Sequence, residues 1–194
     1  MFRYLVGIDE VGRGPIAGPV VVGAVAVKTD ILRTLGHVKD SKAQTEKGRL
    51  FWFQKIHELQ AEGHLQYAVS FVNEKVIDAI GIAPSIRMAL GQSLIKLECT
   101  PEETVILLDG SLKAPAHFQY QTTIIRGDAT EPVIALASIV AKVHRDNYMT
   151  RMAEKFPAYG FEKHKGYGTR GHYEALKTSG ISPLHRTSFL KSFV

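Results

Sequence analysis

Tyr4 to Val27 reads YLVGIDEVGRGPIAGPVVVGAVAV, two apolar runs broken by acids and a turn. Tyr4–Ile8 and Pro19–Val27 are apolar runs rich in β-branched residues, and a Gly- and Pro-rich turn joins them. This pattern predicts two neighbouring strands, a hairpin. Asp9 and Glu10 stand directly after the first run. Three glycines and two prolines follow in Val11–Pro19. Glycine lets backbone amides approach a ligand closely, and proline holds a loop in one shape. Arg13 between Gly12 and Gly14 is placed to reach a phosphate, though the same composition also suits a plain hairpin connection needing positive φ. The spacing matches neither a Walker A loop nor a dinucleotide fingerprint.

Working outward, Thr45–Ala61 reads as a helix capped by Thr45, with Leu50, Phe53, Ile56, His57 and Gln60 at helical spacing. Phe51, Trp52 and Phe53 are assigned to the packing of that helix. Leu65–Val72 alternates as a third strand. Asn73–Ile80 and Pro84–Leu97 are helices on either side of a Gly81–Pro84 breaker, and Cys99 reads as a small buried residue of a helix. Thr104–Leu108 is a continuous apolar run, expected to be a central strand buried on both faces. His117–Ile125 is a further strand candidate. Pro132–Phe156 is the longest helix, with proline suited to its first turn, and Thr169–Thr178 is a short one. The order predicts an α/β three-layer domain, one unit over residues 1–194 with a small helical C-terminal extension from about 157.

Composition bounds the function. Hydrophobic residues are 45% and charged residues 22%, an ordinary globular balance. No apolar run reaches the roughly 18 residues of a membrane span. The opening residues do not read as a signal peptide, and a lone cysteine fits a reducing cytoplasm. From Lys142 onward ten Lys or Arg face four Asp or Glu, a net +6 within a chain whose total is +5. A basic C-terminal segment on a neutral body suggests a surface for polyanions.

Asp9 and Glu10 end the first strand, Asp109 ends the central one, and Asp128 closely follows His117–Ile125. Carboxylates at strand ends can converge on one edge of a sheet. There they repel, and a hard divalent cation with oxygen ligands relieves the conflict. Two such ions about 4 Å apart can activate a water and stabilise the leaving oxygen of a phosphodiester. Taken singly, each acid also suits a turn, Asp109-Gly110 especially.

The stretch GIDEVGRGPIAGPVVVGAVAV resembles the opening signature of the ribonuclease HII family, and further blocks follow in order along the chain. Lys39-Asp40-Ser41-Lys42 resembles its DSK loop, although Ala43-Gln44 departs from the residues usual after it. Leu107-Leu108-Asp109-Gly110 resembles its central-strand acid. GDATEPVIALASIVAKVHRD is similar to its signature helix, and HKGYGTRGHYEAL with SPLHRTSF to its C-terminal blocks. The resemblance implies a ribonuclease-H-like fold with a mixed central sheet flanked by helices. It implies catalytic, metal-holding carboxylates at Asp9, Glu10, Asp109 and Asp128, working with Mg²⁺ or Mn²⁺. Gly12, Arg13 and Gly14 would contact a 2′-hydroxyl, and Tyr167 would stack on the sugar of the following deoxynucleotide. Lys42 joins the substrate contacts. Ser138 and Lys142, four apart on one helix face, would hold the backbone phosphate.

The implied activity is endonucleolytic cleavage of RNA in RNA–DNA hybrids and 5′ of single ribonucleotides embedded in duplex DNA, leaving a 3′-hydroxyl and a 5′-phosphate. The competing readings are a non-catalytic hybrid-binding module, a DNA nuclease or resolvase on the same fold, and RNase HIII-like specificity. A carboxylate cluster argues against a mere anion binder, and a 2′-hydroxyl sensor would be idle on DNA. Asp146 is expected in a salt bridge, and His164 and His172 are expected to face nucleic acid or solvent. The tail Ser188–Val194 is expected to pack as a terminal helix rather than act as a sliding-clamp peptide, and the protein to act as a monomer.

Overall fold

A computed structural model describes residues 2–34, 45–191 and 193. Five strands form one mixed sheet: β1 (Tyr4–Val11), β2 (Val20–Lys28), β3 (Leu65–Val72), β4 (Thr104–Asp109) and β5 (Gln121–Ile124), in the order β3-β2-β1-β4-β5. β1 pairs antiparallel with β2, and β2 with β3. β1 pairs parallel with β4, and β4 with β5. The expected hairpin is present. β1 runs further than the apolar run suggested, because Asp9 and Glu10 continue the ladder opposite Gly23 and Val22.

The helices are α1 (Glu46–Ala61), α2 (Glu74–Ile80), α3 (Ile82–Lys96), α4 (Gly127–Thr130), α5 (Pro132–Lys155), α6 (Phe161–His164) and α7 (Arg170–Ser179). The Thr45 hydroxyl caps α1 by accepting from the Gly48 N–H at 3.1 Å. Only Gly81, at φ 84°, separates α2 from α3, so the helix starts at Ile82, two residues before the expected Pro84, which sits in its first turn.

Side chains of β1, β2 and β4 alternate between two cores. Val6, Ile8, Val22, Ile106 and Leu108 meet α2 and α3, whereas Val25, Val27 and Leu107 meet α1 and α5. Contrary to expectation, β4 is covered unevenly. Val105 and Leu107 are only half-buried, because α5 lies mainly over β1 and β2. The strand in His117–Ile125 is shorter than its composition suggested. The Gln121 side chain binds Ala114 and Phe118 backbone atoms at 2.8 Å each, folding the residues before it into a turn. Cys99 lies half-buried just past α3, and burial pushes its thiol up to about 11.

A third core joins the C-terminal residues to the β1–β2 loop and the far end of α5, through Ile16, Ala17, Met149, Phe161, Leu176 and Leu184. Among its described residues the tail forms one 3-10 turn, Thr187–Phe189, rather than a helix. Asp78 anchors it by accepting from the backbone and side chains of Thr187 and Ser188, and Leu190 is buried behind it. Among the described residues no helix is long and apolar enough to cross a membrane.

Candidate active site

The β1–β4 register pairs Ile8 with Leu108, so the next residues, Asp9 and Asp109, lie side by side at the same end of two parallel strands. Alternation turns both toward the α5 face, and turns Glu10 toward the opposite one. Gly23 stands across from Asp9. A Cβ there would lie 2.4 Å from the Ala137 carbonyl oxygen, and one at Gly7 would lie 2.2 Å from that of Val133. Glycine at both positions lets α5 rest directly on the sheet, and this brings Ser138 to Asp9, whose carboxyl its hydroxyl pulls down. The Glu10 N–H also donates to Asp9 Oδ1 at 2.7 Å.

Asp9 is only 7% exposed. Its carboxyl is pushed up to about 7, chiefly by burial and further by the negative charges of Glu10 and Asp109, against the pull of Ser138 and the Glu10 N–H. Glu10 is also raised by burial, while the Arg13 guanidinium 3.5 Å away draws it down. Asp128 lies exposed in α4, and its backbone N–H donates to Asp109 Oδ1 at 3.3 Å. The donor set is therefore hard oxygen, crowded and short of positive charge at Asp9. That chemistry suits a divalent cation. Among the described residues no three Asp, Glu, His or Cys side chains already form a metal cage. Mg²⁺ does not require one, since it keeps several of its waters.

The loop after β1 passes over two buried arginines that nothing in the local pattern singled out. Arg186 donates to the carbonyls of Gly12 (2.7 Å), Gly18 (2.9 Å) and Arg13 (3.2 Å). Arg145 donates to those of Pro19 (3.0 Å) and Ala17 (3.3 Å). Gly12 has φ 88°, and a Cβ on it would sit 2.3 Å from Arg145 Nε. Gly14 is exposed with open space around it and needs no special backbone angle, so its lack of a side chain is left for whatever approaches from outside. Tyr167 is 42% exposed, and the Arg145 guanidinium lies 5.9 Å from its ring centre.

Other expectations fare differently. Lys142 binds Asp146 at 2.8 Å, which is the salt bridge foreseen for Asp146. Lys42 lies outside the described residues. His164 and His172 do not face outward as a pair: His172 is fully buried, stacked on His164 at 4.2 Å, and bonded to His185 (3.0 Å) and the Tyr167 carbonyl (2.9 Å). The polar acceptors folded around this turn satisfy the rings, which a linear sequence does not show. Trp52 and Phe53 pack on the α5 core, but Phe51 is exposed. A cavity of about 150 Å³ beside Arg13 is lined by Arg87, Ser111 and Lys113 over an apolar floor of Ile86 and Leu90. Its cations come from separate segments, so spacing could not reveal them.

The family model described as Ribonuclease HII matches residues 6–192. Ribonuclease HII of Endomicrobium trichonymphae is 44% identical over 188 residues, covering 97% of this chain and 86% of that protein. Ribonuclease HII of Archaeoglobus fulgidus, solved in complex with PCNA, superposes with a TM-score of 0.73 at 27% identity over 94% of this chain and 93% of its own. Ribonuclease H2 of Pyrococcus horikoshii gives a TM-score of 0.71 at 27% identity, covering 98% and 96%.

Proposed function

The chain belongs to the ribonuclease HII family and is a ribonuclease H enzyme, and we propose that it cuts the RNA strand of RNA–DNA hybrids and incises 5′ of single ribonucleotides in duplex DNA. The observation that carries this reading is the strand register that sets Asp9 beside Asp109, with Asp9 buried and its carboxyl raised to about 7. A carboxyl left in that state is unfavourable unless a cation joins it. Asp9, Glu10, Asp109 and Asp128 would hold divalent metal, Mg²⁺ or Mn²⁺, which would supply water activation and offset phosphate charge in the manner of two-metal hydrolases.

The chain's own residues do the rest. Ser138 favours the charged form of the Asp9 carboxyl. The Gly12-Arg13-Gly14 segment offers backbone groups and a guanidinium to a 2′-hydroxyl and its phosphate, and the exposed Tyr167 ring takes the neighbouring deoxyribose. A contact that needs the hydroxyl, joined to one crowded by it, selects an RNA-to-DNA junction. All these groups come from one chain, which supports action as a monomer.

The test uses two labelled duplexes, one fully hybrid and one with a single embedded ribonucleotide, each with Mg²⁺, with Mn²⁺ or with excess EDTA. Cleavage of both, only with metal, leaving 3′-hydroxyl and 5′-phosphate ends, is expected. Asp9→Asn should lose at least about 100-fold, since even an outer partner of a metal ligand costs 10–100-fold. Cleavage in EDTA would refute the metal reading. Indifference to the single ribonucleotide would refute the junction reading in favour of RNase HIII-like specificity.

A further inference from the structure

Two fully buried arginines lie under the loop and the tyrosine. Burying a guanidinium is costly, and burial lowers the pKa of both, Arg186 to about 10. No carboxylate forms an ion pair with either among the described residues, and each spends its donors on main-chain carbonyls of Gly12–Pro19 instead. Arg186 uses all three of its nitrogens on that loop. Arg145 uses two, and its Nη1 is buried without a hydrogen-bond partner. The same guanidinium lies near the Tyr167 ring. A direct backbone link runs alongside: the Gly166 carbonyl accepts from the Ile16 and Ala17 N–H groups at 3.0 and 3.2 Å. The Tyr167 carbonyl is held in turn by the His172 ring at 2.9 Å and the Thr169 N–H at 2.8 Å.

From this geometry we propose that Arg186 and Arg145 are positioning residues that lock the Gly12–Gly14 loop and Tyr167 into one rigid unit, and thereby set the discrimination between ribose and deoxyribose. The inference rests on the sensing roles proposed for those elements. Carbonyls pulled inward by Arg186 commit the peptide planes of the loop, so their N–H groups are presented outward without reorganisation when substrate arrives. Arg145 sits between the loop and the tyrosine, so their separation is set by one side chain rather than by two independent segments. Lysine cannot substitute, because a single ammonium on a flexible stem does not reproduce a planar fork spanning three carbonyls.

The test measures binding rather than turnover. In an Asp9→Asn background, affinities are compared for an all-DNA duplex and for the same duplex carrying one ribonucleotide. Arg186→Lys and Arg145→Lys, which keep charge and much of the stem, are added separately, with Arg186→Ala as the stronger variant. Melting curves confirm that each variant is folded; if Arg186→Ala unfolds, the lysine variants carry the test. The parent should prefer the ribonucleotide duplex. Each lysine variant should lose that preference by about tenfold, the worth of one well-aligned hydrogen bond, while all-DNA affinity changes little. A merely structural role would weaken both duplexes together. Folded variants that keep the parental preference overturn the clamp alone. A parent with no preference overturns the sensing reading and the clamp with it, whereas loss of cleavage in the wild type would refute the proposed activity.

Discussion

The close approach of α5 to the sheet makes Gly23→Ala the sharpest test of how the site is built. An added Cβ would stand 2.4 Å from the Ala137 carbonyl oxygen and 3.0 Å from the Ala141 nitrogen, where ordinary contact begins near 3.4 Å. Both obstacles are backbone of a buried helix and cannot rotate aside, so α5 must lift by about 1 Å. Overpacking of a core costs about 1–3 kcal/mol. A rigid backbone obstacle belongs at the top of that range, and the reduced freedom of the unfolded chain returns about 0.4–1 kcal/mol. The net loss is about 2 kcal/mol, and at about 2–4 °C per kcal/mol for a chain of this size the melting temperature should fall by about 4–8 °C. Gly7→Ala meets Val133 backbone at 2.2 Å and lifts the same helix. The double variant should therefore cost less than the two single losses added together. Calorimetry of the three variants decides the matter. Melting within about 1 °C of wild type, or strictly additive losses, would refute the view that α5 rests on these two glycines. Because α5 also carries Ser138 to Asp9, Gly23→Ala should lower turnover beyond what its stability loss explains.

Burial lowers His172 to about 4 from its ordinary 6.5, so the folded protein favours the neutral ring and stability is complete above pH 6.5. As pH falls the unfolded chain takes the proton first, and about 2 kcal/mol should be lost between pH 6.5 and 5. Asp9, raised to about 7, works in the opposite direction, so the measurement belongs in the Asp9→Asn variant; stability flat across that window would contradict the buried-imidazole account. Arg87 and Lys113 form no ion pair among the described residues and line the cavity beside Arg13. Replacing either with alanine should reduce the log–log salt dependence of duplex binding by about 0.7–0.9, one phosphate's share, and an unchanged slope would show that this cavity faces away from nucleic acid. Asp78→Ala strips the acceptors from Thr187 and Ser188, costs about 1–3 kcal/mol, and should expose the tail to limited proteolysis; a tail as resistant as wild type would mean that Leu190 alone anchors it.

Much of this was legible in one dimension. The hairpin, the long helix with proline in its first turn and the Thr45 cap follow from local periodicity and turn chemistry, which act over a few residues, whereas the mixed sheet was implied by the family resemblance. Asp9, Glu10 and Asp109 were visible because each directly follows an apolar run, although the β1 ladder itself continues through Asp9 and Glu10 to Val11. Which of them meet was not. Asp9 and Asp109 are a hundred residues apart, and only the Ile8–Leu108 register brings them together. The raised carboxyl of Asp9 likewise needs α5 pressed onto Gly7 and Gly23, a contact no window of sequence contains. The helix position of Ser138 places it at the site, but its effect on the Asp9 carboxyl emerges only in the fold. Arg145 and Arg186 look in sequence like members of a basic segment that forms a surface for polyanions. Tertiary packing instead buries both beneath the glycine loop, where the carbonyls of Gly12, Arg13, Ala17, Gly18 and Pro19 accept from their guanidinium groups. Local chemistry dictates what a residue can offer. Long-range packing dictates the neighbour that receives it, because burial and hydrogen-bond satisfaction are settled only when distant segments share one interior.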